Sequence, residues 1–344
     1  MTTSTPPVLS VVIPAFNYGR YLGECLESIL NQVEAPSFEV VVVNDGSTDD
    51  TVQVLERYAD PRIRVVHQEN RGHVSAINRA LPLTRGAIVA RIDPDDRYRP
   101  HFMRTVCDRF AANPDVVLVY GNAALIDDAG TDTGAVSYRP HRGDFVGSDF
   151  LALLERNFIC APTVAARREA WLDVLPVPEG LAFHDWYFTV LMSRRRPFCF
   201  VDDVIADYRV HADNHHTKIS KDRSEERSLL YLLDRVFHET EPDPVAERAK
   251  QAVRRRIYAA HYVDVAEKYF GFGMTPDARR CYLQALRLRP ASLMHRGIGR
   301  RFVATLAGRR FYDRLKANRR KPGDARGRPG RALPGTAPLL TPDR

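Results

Sequence analysis

Short apolar runs and segments with helical apolar spacing alternate along the first 120 residues of the chain. The runs that predict strands lie at residues 9–14, 40–43, 63–67, 87–92 and 116–120. Between them, apolar residues three or four apart predict helices, as at Leu22, Leu26 and Ile29. Ser47 and Asp50 predict a capping box at the start of the second helix. Because strand and helix alternate, we expect an α/β fold with a doubly wound sheet.

The regular alternation ends after the fifth strand. Residues 127–147 are rich in glycine, aspartate and threonine, which predicts a loop. Apolar spacing predicts a short helix at 148–156 and another helix at 184–194. Residues 163–165 and 198–210 are rich in β-branched and aromatic side chains and predict extended segments.

Beyond residue 220 the pattern becomes helical. Amphipathic segments fill residues 222–289, and Asp243 followed by Pro244 predicts a break between helices. The last residues are rich in proline, glycine and arginine, a composition typical of disorder. We therefore expect three regions, namely an α/β domain at 1–220, a helical region at 221–316 and a basic, disordered tail at 317–344.

Charge and cysteine content indicate the cellular compartment that is expected for the protein. The net charge of +7 is concentrated near the carboxyl end, where Asp324 and Asp343 are the only acids among the last 29 residues. The basic residues there are Lys316, Arg319, Arg320, Lys321, Arg326, Arg328, Arg331 and Arg344. The five cysteines form no Cys-x-x-Cys pair, and no run approaches the roughly 18 apolar residues of a membrane span. With a polar first segment, this predicts a soluble protein of the reducing cytosol, attached at most to a membrane surface.

An acidic cluster stands at the end of the fourth predicted strand. Asp93, Asp95 and Asp96 follow the apolar run, separated only by Pro94. Three crowded carboxylates repel one another and lose solvation, and a bound divalent cation is the usual way to make such a cluster favourable. An acidic turn formed by Pro94 is the alternative. Asp45 lies in the turn after the second predicted strand, and in doubly wound sheets ligands bind at the carboxyl ends of strands.

Four motifs occur together in order. They are residues 11–17 (VVIPAFN), 43–49 (VNDGSTD), 68–78 (QENRGHVSAIN) and 93–96 (DPDD). Their order and spacing resemble the inverting glycosyltransferases of family two, over roughly the first two hundred residues. The resemblance implies a GT-A fold, which is a Rossmann-like, doubly wound mixed sheet, with a helical extension that the motifs do not cover. It also makes 1–220 the catalytic domain, with a donor half at about 1–120 and an acceptor half at about 121–220.

The resemblance assigns roles to individual residues. Asp45 would accept a hydrogen bond from the base, usually uracil, and Asp93 would hold the ribose or the metal shell. Asp95 would ligate Mn²⁺ or Mg²⁺, and His211 would complete the metal shell unless it is an ordinary loop histidine. The donor nucleotide would therefore be bound by Pro14, Ala15, Asn17, Asp45, Asn78 and Asp93.

The catalytic base implied by the resemblance is Asp185. The family places the base in an acidic pair at the start of a helix, and this chain has His184 in place of the glutamate. The departure keeps the base and leaves open any acceptor contact that the glutamate would make. A carboxylate at a helix start is also stabilised by the helix dipole, so an N-cap role for Asp185 is the alternative.

The resemblance implies a hexosyltransferase-type enzyme that moves one sugar from a nucleotide-diphosphate sugar to an acceptor hydroxyl. The Gln-x-x-Arg-Trp motif of processive synthases is absent from the sequence, which favours single transfer. A uridine donor is favoured over thymidine and guanosine, and a saccharide or lipid-linked saccharide is expected as acceptor. By analogy the product is a cell-surface polysaccharide or glycoconjugate. A sugar-phosphate nucleotidyltransferase and a non-catalytic nucleotide-sugar binder are the alternatives.

Residues 294–315 combine an apolar stripe with six arginines. Such a helix could lie on an anionic membrane at the cytoplasmic face, or it could pack on the catalytic domain with a solvated charged face. The basic tail could bind nucleic acid on charge alone. Because no recognised nucleic-acid module accompanies it, that partner is disfavoured.

Overall fold

The computed structural model describes residues 5–211, 222–294 and 296–308, without the side chains of Leu293 and Arg296. Contacts divide the chain into two compact units. The first unit contains the described residues up to 153 and those from 157 to 211. The second contains 154–156 and the described residues from 222 onward. The predicted tail at 317–344 lies outside the described residues.

The elements up to residue 211 are strands connected mainly by short helices. The strands are β1 (Leu9–Ala15), β2 (Phe38–Asp45), β3 (Ile63–Gln68), β4 (Ile88–Arg91), β5 (Arg97–Tyr98), β6 (Leu118–Ile126), β7 (Asp132–Val136), β8 (Phe145–Gly147), β9 (Ala165–Arg167) and β10 (Phe198–Arg209). The α-helices are α1 (Gly19–Leu30), α2 (Thr51–Glu56), α3 (His73–Ala80), α4 (Phe102–Ala112), α5 (Phe150–Glu155), α6 (Arg168–Asp173) and α7 (His184–Ser193).

The strands form one mixed sheet in the order β3-β2-β1-β4-β9-β6-β10-β5. The four strands β1 to β4 are parallel, and every residue of β1 and β2 is buried. Burial on both faces explains why these strands consist almost entirely of apolar residues. Strand β9 is antiparallel to both β4 and β6. The predicted doubly wound mixed sheet is confirmed, and the parallel arrangement brings the carboxyl ends of β1, β2 and β4 to one edge.

Two local predictions are wrong. Residues 127–147 are not simply a loop, because they contain β7, which pairs with β6, and β8, which pairs with β10. Their strand conformation comes from hydrogen bonds to those neighbours, which composition does not encode. The capping box at Ser47 does not form, since α2 begins at Thr51. The Ser47 hydroxyl instead accepts a hydrogen bond from the backbone N–H of Asn17.

The helical unit consists of α8 (Ser224–His238), α9 (Pro244–Gly271), α10 (Thr275–Leu288) and α11 (Arg296–Ala307). The predicted break at Asp243 and Pro244 is confirmed, because the Asp243 carboxylate accepts hydrogen bonds from the backbone N–H groups of Val245 and Ala246. Proline suits the first helical position because its missing N–H would have no partner there. Within the described ranges, no helix is both long and apolar enough to cross a membrane.

A buried lysine joins α9 to the end of α8. Lys250 is 1% exposed, and its ammonium contacts the carboxylates of Glu241 at 3.1 Å and Glu247 at 2.8 Å. It also donates to the carbonyl oxygen of Val236 at 3.1 Å. Removing one partner of a buried ion pair leaves the other charge uncompensated, which is costly.

We expect Lys250→Ala to lower the free energy of unfolding by about 3 kcal/mol, because it leaves the buried Glu241 carboxylate without its cation. Urea denaturation followed by far-UV circular dichroism measures the change. Arg248→Ala, at an exposed position two residues earlier on the same helix, is the matched control and should change stability little. Equal stability of the two variants would contradict the structural role given to Lys250.

Candidate active site

The loops after β1 and β2 are joined by Asn17. Pro14 and Ala15 end the buried strand β1, and Asn17 has a positive φ of 58°. Its side-chain oxygen accepts a hydrogen bond from the backbone N–H of Thr48 at 2.7 Å, while its own N–H donates to the Ser47 hydroxyl at 3.0 Å. Asparagine tolerates this left-handed backbone and uses its amide locally. The first two predicted donor motifs therefore form one connected rim at the sheet edge.

Asp45 organises the third motif. Its carboxylate is 1% exposed and accepts hydrogen bonds from the side chain of Gln68 at 2.6 Å and from two backbone N–H groups. These belong to Arg71 at 2.9 Å and Gly72 at 2.8 Å. Gly72 has a φ of 88°, a conformation that favours glycine. The carboxylate of Asp45 thus holds the loop after β3, and its contact with a base stays a prediction.

Asn78 is engaged with another part of the same unit. Its amide nitrogen donates to the carbonyl oxygen of Val177 at 2.8 Å, and its amide oxygen accepts from the N–H of Val177 at 2.9 Å. This pair of hydrogen bonds fixes the segment that precedes α7. The structure therefore gives Asn78 a positioning role, and its predicted contact with the nucleotide remains untested.

The acidic cluster directly follows β4. Asp93 is partly exposed and accepts a hydrogen bond from buried Arg91 at 2.7 Å, whereas Asp95 is 6% and Asp96 1% exposed. Burial raises the pKa of Asp95, and burial together with the charges of Asp95 and Asp93 raises the pKa of Asp96 well above its usual range. The ionised cluster is therefore costly, as the sequence indicates.

One buried carboxylate oxygen of this cluster lacks a hydrogen-bond partner among the described residues. Asp96 Oδ1 accepts from the backbone N–H of Arg209 at 2.8 Å, but its buried Oδ2 has no hydrogen-bond partner among the described residues. Buried polar atoms are nearly always satisfied by protein, water or ions. The unsatisfied Asp96 Oδ2 is therefore consistent with an ion or a water molecule bound beside the cluster.

His211 contacts Asp95, although the two residues are 116 positions apart in the sequence. Its Nε2 lies 3.0 Å from Asp95 Oδ2, and its ring lies 5.2 Å from that of Tyr21. The structure thus brings the two predicted metal ligands together. No group of three or more histidine, cysteine or acidic side chains within 5–211, 222–294 and 296–308 could hold a metal by itself. Hard cations such as Mg²⁺ commonly take only one or two protein ligands and complete their shell with water and substrate phosphates, so the pair fits such an ion.

Arg209 is a site residue that sequence reasoning missed. The side chain is fully buried, and its Nε donates to the backbone oxygen of Asp95 at 2.8 Å. Another guanidinium nitrogen bonds the Glu24 carboxylate at 2.7 Å, and a third bonds the backbone oxygen of Asp128 at 3.1 Å. Arginine's fixed fork suits such simultaneous contacts. The available signal was its place at the end of a strand, two residues before His211.

Asp185 lies in the first turn of α7. The N-cap residue of this helix is Phe183, so the alternative of an N-cap Asp185 is wrong. The carboxylate is partly buried, accepts a hydrogen bond from the Asn157 amide at 3.3 Å, and lines a small cavity with Arg91. A second cavity of about 510 Å³ lies beside α1 and β5 and is not lined by any predicted site residue of the described chain. Of these two cavities, only the small one is lined by the predicted catalytic base, Asp185.

His184 connects the base to the acidic cluster. Its ring is 9% exposed and lies 4.5 Å from the ring of His73. His73 Nε2 in turn lies 3.1 Å from an Arg91 guanidinium nitrogen and 3.5 Å from Asp93 Oδ1. His184, which stands where the family has a glutamate, therefore packs against His73. This pair of rings lies between Asp93 and Asp185. The partnership could not be read from the sequence, since 111 positions separate the two histidines.

A model of the family described as "Glycosyl transferase family 2" matches residues 10–174. Residues 10–174 therefore form a domain of this family. The match spans β1 to α6 and includes every motif on which the resemblance rests. The chain is therefore a glycosyltransferase, which disfavours the alternatives of a nucleotidyltransferase and a non-catalytic binder.

Several curated proteins resemble this glycosyltransferase. An uncharacterised glycosyltransferase of Nostoc sp. is 29% identical over 234 residues, which is 64% of this chain and 70% of the relative. Chondroitin synthase of Escherichia coli is 39% identical over 131 residues, 38% of this chain and only 19% of the synthase. Glycosyltransferase GlyG of Streptococcus pneumoniae is 34% identical over 125 residues, 36% of this chain and 41% of GlyG. The last two similarities therefore cover less than half of each relative.

Solved structures confirm the fold of this glycosyltransferase. S. aureus TarS 1–349 in complex with UDP-GlcNAc aligns with a TM-score of 0.65 at 18% identity, over 90% of this chain and 92% of that one. The mannosyltransferase PcManGT of Pyrobaculum calidifontis, in complex with GDP-Man and Mn²⁺, aligns with a TM-score of 0.56 at 19% identity, over 92% and 80%. The predicted GT-A fold with a helical carboxyl-terminal region is confirmed.

Proposed function

We propose that this glycosyltransferase is metal-dependent and inverting, and that it moves one sugar from a nucleotide-diphosphate sugar to an acceptor hydroxyl. The observation that carries the proposal is the meeting of Asp95 and His211 at 3.0 Å, beside the unsatisfied oxygen of Asp96. A carboxylate and an imidazole are suitable ligands for Mn²⁺, and carboxylates for Mg²⁺. The site lies at the carboxyl end of β4, where open α/β sheets bind ligands.

The donor nucleotide is proposed to bind along the rim formed by the loops after β1, β2 and β3. Asp45 holds the loop after β3 rigid through backbone and side-chain hydrogen bonds, which is a preorganised surface for a planar base. TarS with UDP-GlcNAc and PcManGT with GDP-Man support a nucleotide-sugar donor. We favour uridine. The proposed contact residues remain Pro14, Ala15, Asn17, Asp45, Asn78 and Asp93.

Asp95 and His211 would hold the divalent cation, with Asp96 beside them. When bound, the cation would neutralise the diphosphate charge that develops as the nucleotide departs. Arg209 fixes the backbone of Asp95 and the carboxylate of Asp96, so both acids are held in place before the donor arrives. Such preorganisation is what makes electrostatic stabilisation effective.

Asp185 is proposed as the base that removes the proton from the acceptor hydroxyl. An inverting transfer needs one such group, positioned on the side of the attacking oxygen. The Asn157 amide donates to Asp185 Oδ2 and orients the carboxylate. The second oxygen is then available for the acceptor. The ring pair of His73 and His184 fixes the entry of α7 next to the base.

The acceptor is proposed to be a saccharide or lipid-linked saccharide of a cell-surface polysaccharide or glycoconjugate. Chondroitin synthase, one of the relatives described above, supports this class. We place the reaction in the cytoplasm, because all five cysteines are free thiols, as expected in a reducing compartment. Residues 1–220 are proposed as the catalytic domain, with the donor half at about 1–120.

Ligand-dependent thermal unfolding tests the donor site. UDP, dTDP, GDP and CDP, each with Mn²⁺, Mg²⁺ or EDTA, are compared at a ligand concentration near 100 times the dissociation constant. We expect one nucleotide, UDP, to raise the melting temperature by roughly 5 °C with metal and little with EDTA, since stabilisation follows mass action. A shift with GDP alone would correct the base. No shift with any nucleotide would contradict the proposed donor site.

A further inference from the structure

Tyr18 lies in the loop that joins β1 to α1, beside two parts of the candidate site. It directly follows Asn17, which belongs to the rim proposed for the nucleotide, and it precedes Gly19, the first residue of α1. Its N–H donates to the Thr51 hydroxyl at 3.2 Å, and its carbonyl oxygen accepts from the N–H of Tyr21 at 3.0 Å. Because the backbone is held from both sides, the side chain of Tyr18 starts from a fixed position at the sheet edge.

The ring of Tyr18 packs against a residue of the proposed metal site. Its centroid lies 6.2 Å from that of His211, with 72° between the ring planes, so the two rings meet edge to face. It lies equally far from the ring of Tyr21, which itself packs on His211 at 5.2 Å. His211 Nε2 in turn contacts Asp95 at 3.0 Å. Tyr18 therefore adjoins the proposed cation site as well as the nucleotide rim.

Local structure does not explain why this residue is a tyrosine. Tyr18 is the N-cap residue of α1, a position that favours serine, threonine, aspartate or asparagine, and its side chain makes no capping hydrogen bond. The residue is partly exposed, and its hydroxyl forms no hydrogen bond within the described part of the chain. Departures from such local rules are expected at functional sites. A ligand therefore accounts for the tyrosine better than the helix start does.

The hydroxyl of Tyr18 lies near the acidic cluster and stays protonated. Burial raises the pKa of Tyr18, and the negative charges of the cluster, Asp95, Asp93 and Asp96, raise this pKa further. A bound cation would offset those charges, but burial, which is the larger cause, would still keep the phenol neutral. A neutral phenol is a hydrogen-bond donor. Tyr18 therefore offers an O–H group to an anion that lies beside the cluster.

We propose that the Tyr18 hydroxyl binds the diphosphate of the donor by donating a hydrogen bond to a phosphate oxygen next to the cation. In a nucleotide sugar, the diphosphate lies between the nucleoside, proposed to bind at the rim, and the sugar, and it would contact the cation at Asp95 and His211. Tyr18 adjoins both places. Ionised carboxylates only accept hydrogen bonds and repel phosphate, so a neutral donor adds an attraction that the cluster cannot supply. This inference rests on the proposed function and adds a binding residue to its donor site.

Calorimetry of the full-length chain with Tyr18→Phe tests the inference, because this substitution removes the hydroxyl and keeps the ring. The ligands are UDP, GDP and inorganic pyrophosphate, which has no base, and the nucleosides uridine and guanosine, which have no phosphate, each with Mn²⁺. We expect the dissociation constants of the diphosphates that bind the parent to rise at least about tenfold, since hydrogen bonds to charged groups typically contribute this much. The affinity for the nucleosides should not change.

Tyr58→Phe is the matched control, because it removes a phenol hydroxyl that donates to the carbonyl oxygen of Gly23 at 3.2 Å in the same unit, and it should bind every ligand as the parent does. If the parent binds a diphosphate and Tyr18→Phe binds it equally well, this inference alone is overturned. An equal loss for the nucleosides would also overturn it. A loss confined to Tyr18→Leu, which removes the ring too, would assign Tyr18 to the support of His211 instead. A parent that binds no diphosphate would overturn the proposed donor site together with this inference.

Discussion

Asp185→Asn should bind the donor as tightly as the parent and transfer sugar roughly a thousandfold more slowly. The amide has nearly the same shape as the carboxylate, and its oxygen can still accept the Asn157 hydrogen bond. It cannot take a proton from the acceptor hydroxyl. General base catalysis typically contributes a hundredfold to ten-thousandfold, so turnover should fall while donor affinity does not.

The measurement is the rate of nucleotide diphosphate release with acceptor, alongside donor binding by calorimetry. Asp173→Asn makes the same chemical change at an exposed residue at the end of α6 and should leave both quantities unchanged. If Asp185→Asn kept the turnover of the parent, the base would have to be another group. His184 would then be the next residue to substitute, because it adjoins Asp185 and contacts the acidic cluster through His73.

Asp95→Ala should weaken metal-dependent binding of the nucleotide diphosphate by at least about a hundredfold. The substitution removes one of the two protein ligands proposed for the cation and leaves His211 without its carboxylate partner. Binding that remains should no longer respond to EDTA. The expected loss is larger than for residues around a metal ligand, whose replacement typically costs tenfold to a hundredfold.

The same variant should not destabilise the folded chain in EDTA. Burial raises the pKa of Asp95, and the charge of Asp95 contributes to the raised pKa of Asp96, so without a cation the carboxylate is a cost. We expect the melting temperature to stay level or rise, which separates a lost ligand from a damaged fold. Asp108→Ala, at a residue 73% exposed on α4, is the control. Donor affinity in Mn²⁺ equal to that of the parent would refute the metal assignment.

The parts of the fold that were predictable are those set by local pattern. Strands β1, β2 and β4 are buried in the sheet interior, and their sequences are therefore largely apolar. Pro244 marks a helix start because its ring suits the first helical position. Strands β7 and β8 were missed because their conformation depends on partners elsewhere in the sheet, and β7 is largely exposed. A polar strand at an edge has no apolar pattern to identify it.

The candidate site, like the fold, was predictable only in part. Single residues such as Asp95, Asp185 and His211 were predicted as site residues from the resemblance, and their roles stay predictions. The contacts that support them were not predicted, because Arg209 and the pair of His73 and His184 acquire their roles only when distant segments meet. Periodicity contains no information about such pairings. The resemblance to the family predicted which residues would act in the site. Only the structure showed which other residues hold them in position.

The bond from Arg209 to the backbone of Asp95 spans 114 positions of sequence, and this has a consequence for the order of folding. Contacts of such separation form late, because a long loop must close before they contribute. During synthesis the acidic turn emerges long before β10, so its carboxylates stay solvated and loosely held at first. The donor site would thus be completed only when the final strand enters the sheet. The proposed nucleotide binding would therefore report completed folding of this unit.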